Sequence, residues 1–176
     1  MKGKESLDLL QLQRPNEFER QWKRLRNWKD KGMTRHIGLA VSGERYFPMT
    51  EKLLKSGTAD FVQLNYSMIE PESGERLLPL AQDHGVAVVT NRPFINGRYF
   101  PLVSGHELPG WAAEFDCESW AQFSIKYILA NPAVNCVLTE TTKAHHAADN
   151  LSAGIGRLPD EKTRARMLEL IRSFSM

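Results

Sequence analysis

Residues 61–90 read FVQLNYSMIEPESGERLLPLAQDHGVAVVT and contain one complete strand–helix–strand pattern. The runs 61–65 and 86–90 are short and apolar, as buried strands are. Residues 70–84 between them carry leucines within a polar stretch and end at Gly85, the residue type that commonly follows a helix. Two buried strands joined by a helix predict a parallel pair of strands covered by that helix.

The same alternation extends in both directions. Further strands are predicted at residues 7–12, 36–41 and 135–138. Further helices are predicted at residues 15–31, 47–56, 119–130, 143–152 and from about 160 to 174, and Ser119 and Gln122 have the spacing of a capping box. A long loop rich in Gly, Pro and aromatic residues occupies 91–116. The pattern therefore predicts an α/β protein with about five βα units and a C-terminal helix in a single domain, 1–176.

A doubly wound sheet and a barrel share this pattern. The barrel is favoured because the helices are short and regularly placed, and because polar residues gather where the strands end, the edge at which barrel enzymes place their chemistry. These polar residues are Gln11, Gln13, Gln63, Asn65, Asn91, Arg92, Thr139, Glu140 and Thr141. A complete barrel needs about 250 residues, whereas this chain has 176. We therefore predict a partial (β/α)8 TIM barrel whose open strand edges require a partner or a cover.

Composition excludes several classes of function. The net charge is +2, and the most basic stretch, 20–31, is interleaved with acidic residues and tryptophans, which is typical of a solvated helix face rather than a nucleic-acid site. No run of about 18 apolar residues and no signal peptide is present, so we expect neither membrane insertion nor secretion. Cys117 and Cys136 have no CxxC spacing, so we expect packing roles in a reducing cytoplasm.

The first candidate site is residues 138–150, LTETTKAHHAADN. Threonine hydroxyls and Lys143 precede a predicted helix there, and a helix N-terminus favours an anion such as phosphate. The alternative is a threonine-rich helix cap without a ligand. His145 and His146 are adjacent, so they diverge on a helix, and no further ligands have zinc spacing, so no metal is expected.

The second candidate site is residues 91–98, NRPFINGR. Arg92 and Arg98 leave a predicted strand end and are able to hold a phosphate or carboxylate through paired hydrogen bonds. The alternative is an ordinary charged loop. The chain contains neither GxGxxG nor GxxxxGK[ST], so neither Rossmann nor P-loop binding is supported.

The segments SLDLLQLQRP, HIGLAVS, DFVQLNYS, VVTNRPF and TETTKAHHAADN, taken in this order, resemble the second half of the aldo/keto reductases. The resemblance extends from about Ser6 to the final helix. It implies strands four to eight of a (β/α)8 barrel that binds NADPH or NADH and reduces a small carbonyl substrate by hydride transfer.

The resemblance also implies roles for individual positions. Gln13 stands where the family has a substrate-polarising His, and Gln63 matches the Gln that holds the nicotinamide carboxamide. Ala40 and Val41 replace the Ser-Asn pair that the family uses for the same carboxamide, and Asn91 replaces the aromatic residue that stacks on the nicotinamide.

At the adenosine end, the family's Lys and Arg that grip a 2′-phosphate are replaced by Glu140 and His146, whereas Thr141, Asp149 and Asn150 match. An acidic side chain repels a phosphate and accepts from ribose hydroxyls, so NADH is favoured. Together with residues of the two candidate sites, 138–150 and 91–98, this gives ten candidate cofactor-binding residues: Gln63, Asn91, Arg92, Phe94, Glu140, Thr141, Thr142, His146, Asp149 and Asn150.

The resemblance places the family's catalytic Asp, Tyr and Lys on the first three strands, ahead of the stretch that this chain matches. We therefore predict no carbonyl reduction by this chain alone. One hypothesis is an oxidoreductase whose missing groups come from a partner. The other is a non-catalytic nucleotide-binding or scaffold half-barrel that self-associates through its open edges. A phosphate-binding isomerase or lyase is disfavoured because the strand ends carry no paired carboxylates or lysine.

Overall fold

The computed structural model describes residues 6–13 and 15–174, so the N-terminal residues used in the signal-peptide prediction lie partly outside it. Its strands are β1 (Leu7–Gln13), β2 (Thr34–Ala40), β3 (Phe61–Asn65), β4 (Ala87–Asn91) and β5 (Val134–Val137). Its helices are α1 (Phe18–Asp30), α2 (Phe47–Lys55), α3 (Glu72–Asp83), α4 (Tyr99–Val103), α5 (Trp120–Leu129), α6 (Ala144–Ser152) and α7 (Glu161–Phe174). The strands form one sheet in chain order, β1-β2-β3-β4-β5. Within the described residues, no helix combines the length and apolar character that crossing a membrane requires.

The predicted alternation of strands and helices is confirmed, with boundaries displaced by at most three residues. The largest difference is the predicted loop 91–116, which contains α4 and a 3-10 helix, Gly110–Phe115. The aromatic residues of this stretch explain the difference. Tyr99 and Phe115 are buried, so the segment packs as part of the core instead of running over the surface as a loop.

One compact unit comprises the described residues up to Leu64 together with 73–89. Leu39 and Val62 are fully buried on adjacent strands, and Leu54 and Leu77 bring the helices α2 and α3 into the same core. The carboxylate of Asp60, the residue before β3, connects β3 to β2 and α1. It accepts a hydrogen bond from the backbone N–H of Ile37 at 2.8 Å and another from Lys29 at 2.6 Å. Burial opposes ionisation of Asp60, but the bonds from Lys29 and Ile37 prevail and lower its pKa.

The second compact unit comprises residues 65–72 and 90–174. Its centre is α5, in which eight of ten residues are buried. Lys126 on this helix is fully buried, and its ammonium group donates to the carbonyls of Ile155 and Arg157 at 2.7 and 3.0 Å. Those two carbonyls tie the segment before α7 to α5. Desolvation lowers the pKa of Lys126.

The C-terminal helix of the second unit is held by a buried hydroxyl. The phenolic oxygen of Tyr66 accepts from Arg164 on α7 at 2.6 Å and from Asn131 at 3.3 Å. The guanidinium of Arg164 also lies over the ring of Tyr127 at 4.8 Å from its centroid. These contacts connect α7 to the residues that follow β3 and to α5.

Candidate functional site

The second unit contains a cavity of about 480 Å³ between the starts of α5 and α6 and the segment after β4. Its lining residues are Phe94, Phe100, Ser119, Trp120, Ala121, Glu140, Thr141, His146, Asp149 and Asn150. Six of these are among the ten residues that the sequence indicated for a cofactor: Phe94, Glu140, Thr141, His146, Asp149 and Asn150. The fold brings them together because Asp149 of α6 bonds to the start of α5, and the segment between β5 and α6 supplies Glu140 and Thr141.

The start of α5 is joined to α6 by a carboxylate. Ser119 is the N-cap of α5, and its hydroxyl accepts from the N–H of Gln122 at 3.1 Å and donates to Asp149 at 2.8 Å. The side-chain amide of Gln122 donates to the other oxygen of Asp149 at 2.7 Å. The expected capping box is therefore present in a modified form, since the Gln122 carbonyl accepts from the N–H of Glu118 rather than from that of the cap residue. Asp149 thus builds one wall of the cavity.

Aromatic rings form the apolar part of the wall. The rings of Phe94 and Phe100 lie 4.9 Å apart, and both contact the buried ring of Tyr99. Trp120 lines the cavity from the first turn of α5, and its indole N–H donates to the carbonyl of His106 at 2.9 Å. Because that N–H is already bonded, Trp120 offers a ligand its ring surface rather than a hydrogen-bond donor.

The charged side chains that line the cavity are acidic. Glu140 and Asp149 line it, whereas its lining contains no Lys or Arg. The hydroxyl of Thr141 accepts from the N–H of Lys143, so it stabilises the entry to α6. Thr142 is exposed and does not line the cavity. These surroundings suit a ligand with two parts. One is a planar, neutral, hydrogen-bonding ring that lies between the aromatic residues, and the other is a set of hydroxyl groups that lie near the carboxylates.

An ion pair holds the segment 91–98, which begins at the end of β4. Arg92 donates to Glu70 at 3.0 Å, and the same carboxylate accepts from the side-chain amide of Asn65 at 2.8 Å through its second oxygen. Arg92 also has a left-handed backbone, with φ of 57°. Arg92 therefore has its partner within the protein, whereas we expected Arg92 and Arg98 to bind a ligand anion together. Arg98 is exposed.

The remaining predicted positions lie at strand ends. In the first unit, Gln13 pairs with Ala40 and Ala40 pairs with Gln63 in the parallel register, so the three side chains share one face of the sheet. Gln13 is exposed and Gln63 is partly exposed. Asn91, in the second unit, is the last residue of β4.

The sequence did not indicate four residues of the cavity lining, namely Phe100, Ser119, Trp120 and Ala121. The capping signal at Ser119 marked the start of α5, but it carried no sign that the cap partner lies on α6. Cys117 is buried as predicted, and burial raises its pKa to about 11. The prediction of a packing role for Cys136 is wrong, because this residue is exposed on the short β5.

The family model described as the aldo/keto reductase family matches residues 1–166. The chain therefore belongs to the aldo/keto reductase family, and its fold is that of a partial TIM barrel. No curated protein matches the chain in a sequence comparison.

Solved structures of the family have the same fold. The aldo-keto reductase AKR11C1 from Bacillus halodurans, in its holo form, is 19% identical with a TM-score of 0.74, covering 95% of this chain and 61% of that one. An aldo-keto reductase from Klebsiella pneumoniae in complex with NADP and acetate is 17% identical with a TM-score of 0.73, covering 95% and 59%. The chain thus spans about 60% of the length of these relatives.

Proposed function

We propose that this chain is the cofactor-binding part of a nicotinamide-dependent carbonyl reductase, and that its second unit binds the adenosine half of the cofactor. The observation that supports this is the cavity lined by Phe94, Glu140, His146 and Asn150. Aromatic rings there suit an adenine base, and the carboxylate of Glu140 suits ribose hydroxyls. When bound, the nicotinamide group would supply the hydride for reduction of a small carbonyl compound.

The acidic lining supports NADH over NADPH in this proposal. A 2′-phosphate placed beside Glu140 meets a like charge, and the lining has no guanidinium or ammonium group to compensate it. His146, which is exposed, is the lining side chain best suited to approach such a phosphate.

The first unit carries two further residues of this proposal. Gln63 is proposed to hold the nicotinamide carboxamide, and Gln13 to donate a hydrogen bond to the substrate carbonyl. A side-chain amide polarises a carbonyl but supplies no proton at neutral pH. The general acid and its Lys and Asp partners would have to come from further βα units, and we propose that the described residues alone do not turn over substrate.

The proposal of a partner rests on the strand edges. β1 and β5 are the first and last strands in the sheet order of the described residues. We propose that further strands, or a second copy of the chain, cover these edges, that the two units function as one domain, and that the protein acts in the cytoplasm.

A second candidate function is non-catalytic nucleotide binding. It is favoured by one observation, that every residue lining the cavity belongs to a single compact unit. Such a site would bind adenosine nucleotides whether or not hydride transfer follows.

The test is calorimetric titration of the full chain with ADP-ribose, NADH, NADPH and nicotinamide mononucleotide. We expect ADP-ribose and NADH to bind and to raise the unfolding temperature, since a ligand of the native state stabilises it. Asn150→Ala should weaken ADP-ribose about tenfold, whereas Asn27→Ala, at an exposed position of α1, should not. Absence of ADP-ribose binding to a cooperatively folded chain would refute the proposal.

Turnover distinguishes the two candidate functions. NADH oxidation with a reactive quinone or aldehyde, abolished by Gln63→Ala, would contradict the proposal that the chain is inactive alone. Binding without turnover is the expected result. Recovery of turnover with a polypeptide that supplies Tyr, Lys and Asp on three βα units would then exclude the non-catalytic candidate.

A further inference from the structure

The last turn of α7 packs behind the cavity through one ring. Phe174 stacks on His106, with centroids 3.8 Å apart and planes at 11°, and meets Trp120 edge to face at 5.8 Å and 80°. Phe174 does not line the cavity. It therefore lies behind Trp120, the residue whose ring forms the cavity wall.

The orientation of Trp120 depends on these neighbours. Three contacts define it: the bond from its indole N–H to the carbonyl of His106, the edge-to-face packing on the buried Phe123 at 5.1 Å, and the contact with Phe174. The His106 carbonyl belongs to a loop, and the imidazole of His106 is itself stacked on Phe174. Two of the three contacts thus depend on Phe174 directly or through one residue.

We propose that Phe174 is a positioning residue for the nucleotide site: it holds the indole of Trp120 at the angle at which its face stacks on a planar base. This inference rests on the proposed function and extends it to α7. A ring that must be ordered on binding costs conformational entropy, whereas a ring already held in place does not. Base–aromatic stacking is among the stronger sequence-tolerant contributions to nucleotide binding.

The test is a double-mutant cycle on the full chain with ADP-ribose as the probe. Phe174→Ala should weaken ADP-ribose about tenfold in a wild-type background. In a Trp120→Ala background, the same substitution should have no further effect, because no indole remains to be positioned. Phe174→Tyr should restore binding, and Glu169→Ala, at an exposed position of the same helix, should leave it unchanged.

The fluorine NMR spectrum of the labelled indole distinguishes a positioning role from a general loss of stability. In protein labelled with 5-fluorotryptophan, the resonance assigned to Trp120 should broaden or shift in Phe174→Ala, with the resonances of Trp22 and Trp28 unchanged. Phe174→Leu, which keeps an apolar side chain, serves if the alanine variant unfolds, and the same loss of ADP-ribose binding is expected because the aromatic ring is gone.

Equal affinity of wild type and Phe174→Ala, or additive losses in the cycle, would overturn the positioning role while leaving the proposed function intact. Absence of ADP-ribose binding to the wild type would overturn both.

Discussion

The hydroxyl of Ser119 lies 2.8 Å from a carboxylate oxygen of Asp149, so that the N-cap of one helix is bound by a residue of the next. The hydroxyl also accepts a hydrogen bond from the backbone N–H of Gln122, in the first turn of α5. One serine therefore caps the N-terminus of α5, joins α5 to α6 and lines the cavity. Stability and ligand binding are expected to change together when this serine is replaced.

Ser119→Ala should lower the free energy of unfolding by about 1 kcal/mol, the typical contribution of a helix N-cap. The measurement is urea unfolding followed by circular dichroism. Ser152→Ala is the control, because the Ser152 hydroxyl is exposed and only bonds back to the carbonyl of Ala148 in its own helix. Equal stability of the two variants would contradict the capping role.

Two tyrosines are expected to respond in opposite directions to loss of their hydroxyl groups. The Tyr99 hydroxyl is buried with no hydrogen-bond partner among the described residues, and burial raises its pKa. Tyr99→Phe should therefore be neutral or stabilising by up to about 1 kcal/mol. Tyr66→Phe should destabilise by about 1–3 kcal/mol, because it leaves Arg164 and Asn131 without their acceptor. Paired urea titrations of the two variants measure the difference.

Asp116 is expected to make stability depend on pH in the acid range. Arg157 donates to both of its carboxylate oxygens, and these bonds lower the pKa of Asp116 below its ordinary range. Because the pKa of Asp116 is lower in the folded than in the unfolded chain, the stabilisation is complete above the ordinary pKa of about 4 and is lost as pH falls through the folded pKa.

The measurement is the unfolding temperature of wild type and Asp116→Asn between pH 7 and pH 2. The two proteins should differ most at neutral pH and converge in acid. Asp83→Asn, at an exposed position of α3, should follow the wild type throughout. A difference at Asp116 that does not shrink in acid would show that its charge is not responsible.

Reversal of the charge at Glu140 tests cofactor preference. Glu140→Arg should raise affinity for 2′-phospho-ADP-ribose relative to ADP-ribose by about tenfold, because a guanidinium binds the phosphate that the carboxylate repels. Calorimetric titration with both ligands gives the ratio. Glu169→Arg changes the net charge equally but lies outside the cavity lining, so its ratio should stay at the wild-type value.

Outside residues 91–116, the sequence by itself determined the order and kind of the strands and α-helices, because the period of apolar residues shows whether a segment buries one face of a helix or of a strand. It also indicated the segment 138–150, because threonine hydroxyls and Lys143 at the start of a predicted helix form a pattern that the sequence itself contains. Glu140, Thr141 and Asp149 all belong to that segment.

Only the tertiary structure decided which side chains meet. The partner of Ser119 lies 30 residues away and the partner of Arg92 lies 22 away, and no local pattern encodes such distances. Cys136 illustrates the same limit, because exposure on β5 depends on what the rest of the fold leaves uncovered. Local periodicity fixes which face of an element is apolar, whereas packing fixes the neighbours of every polar group on it.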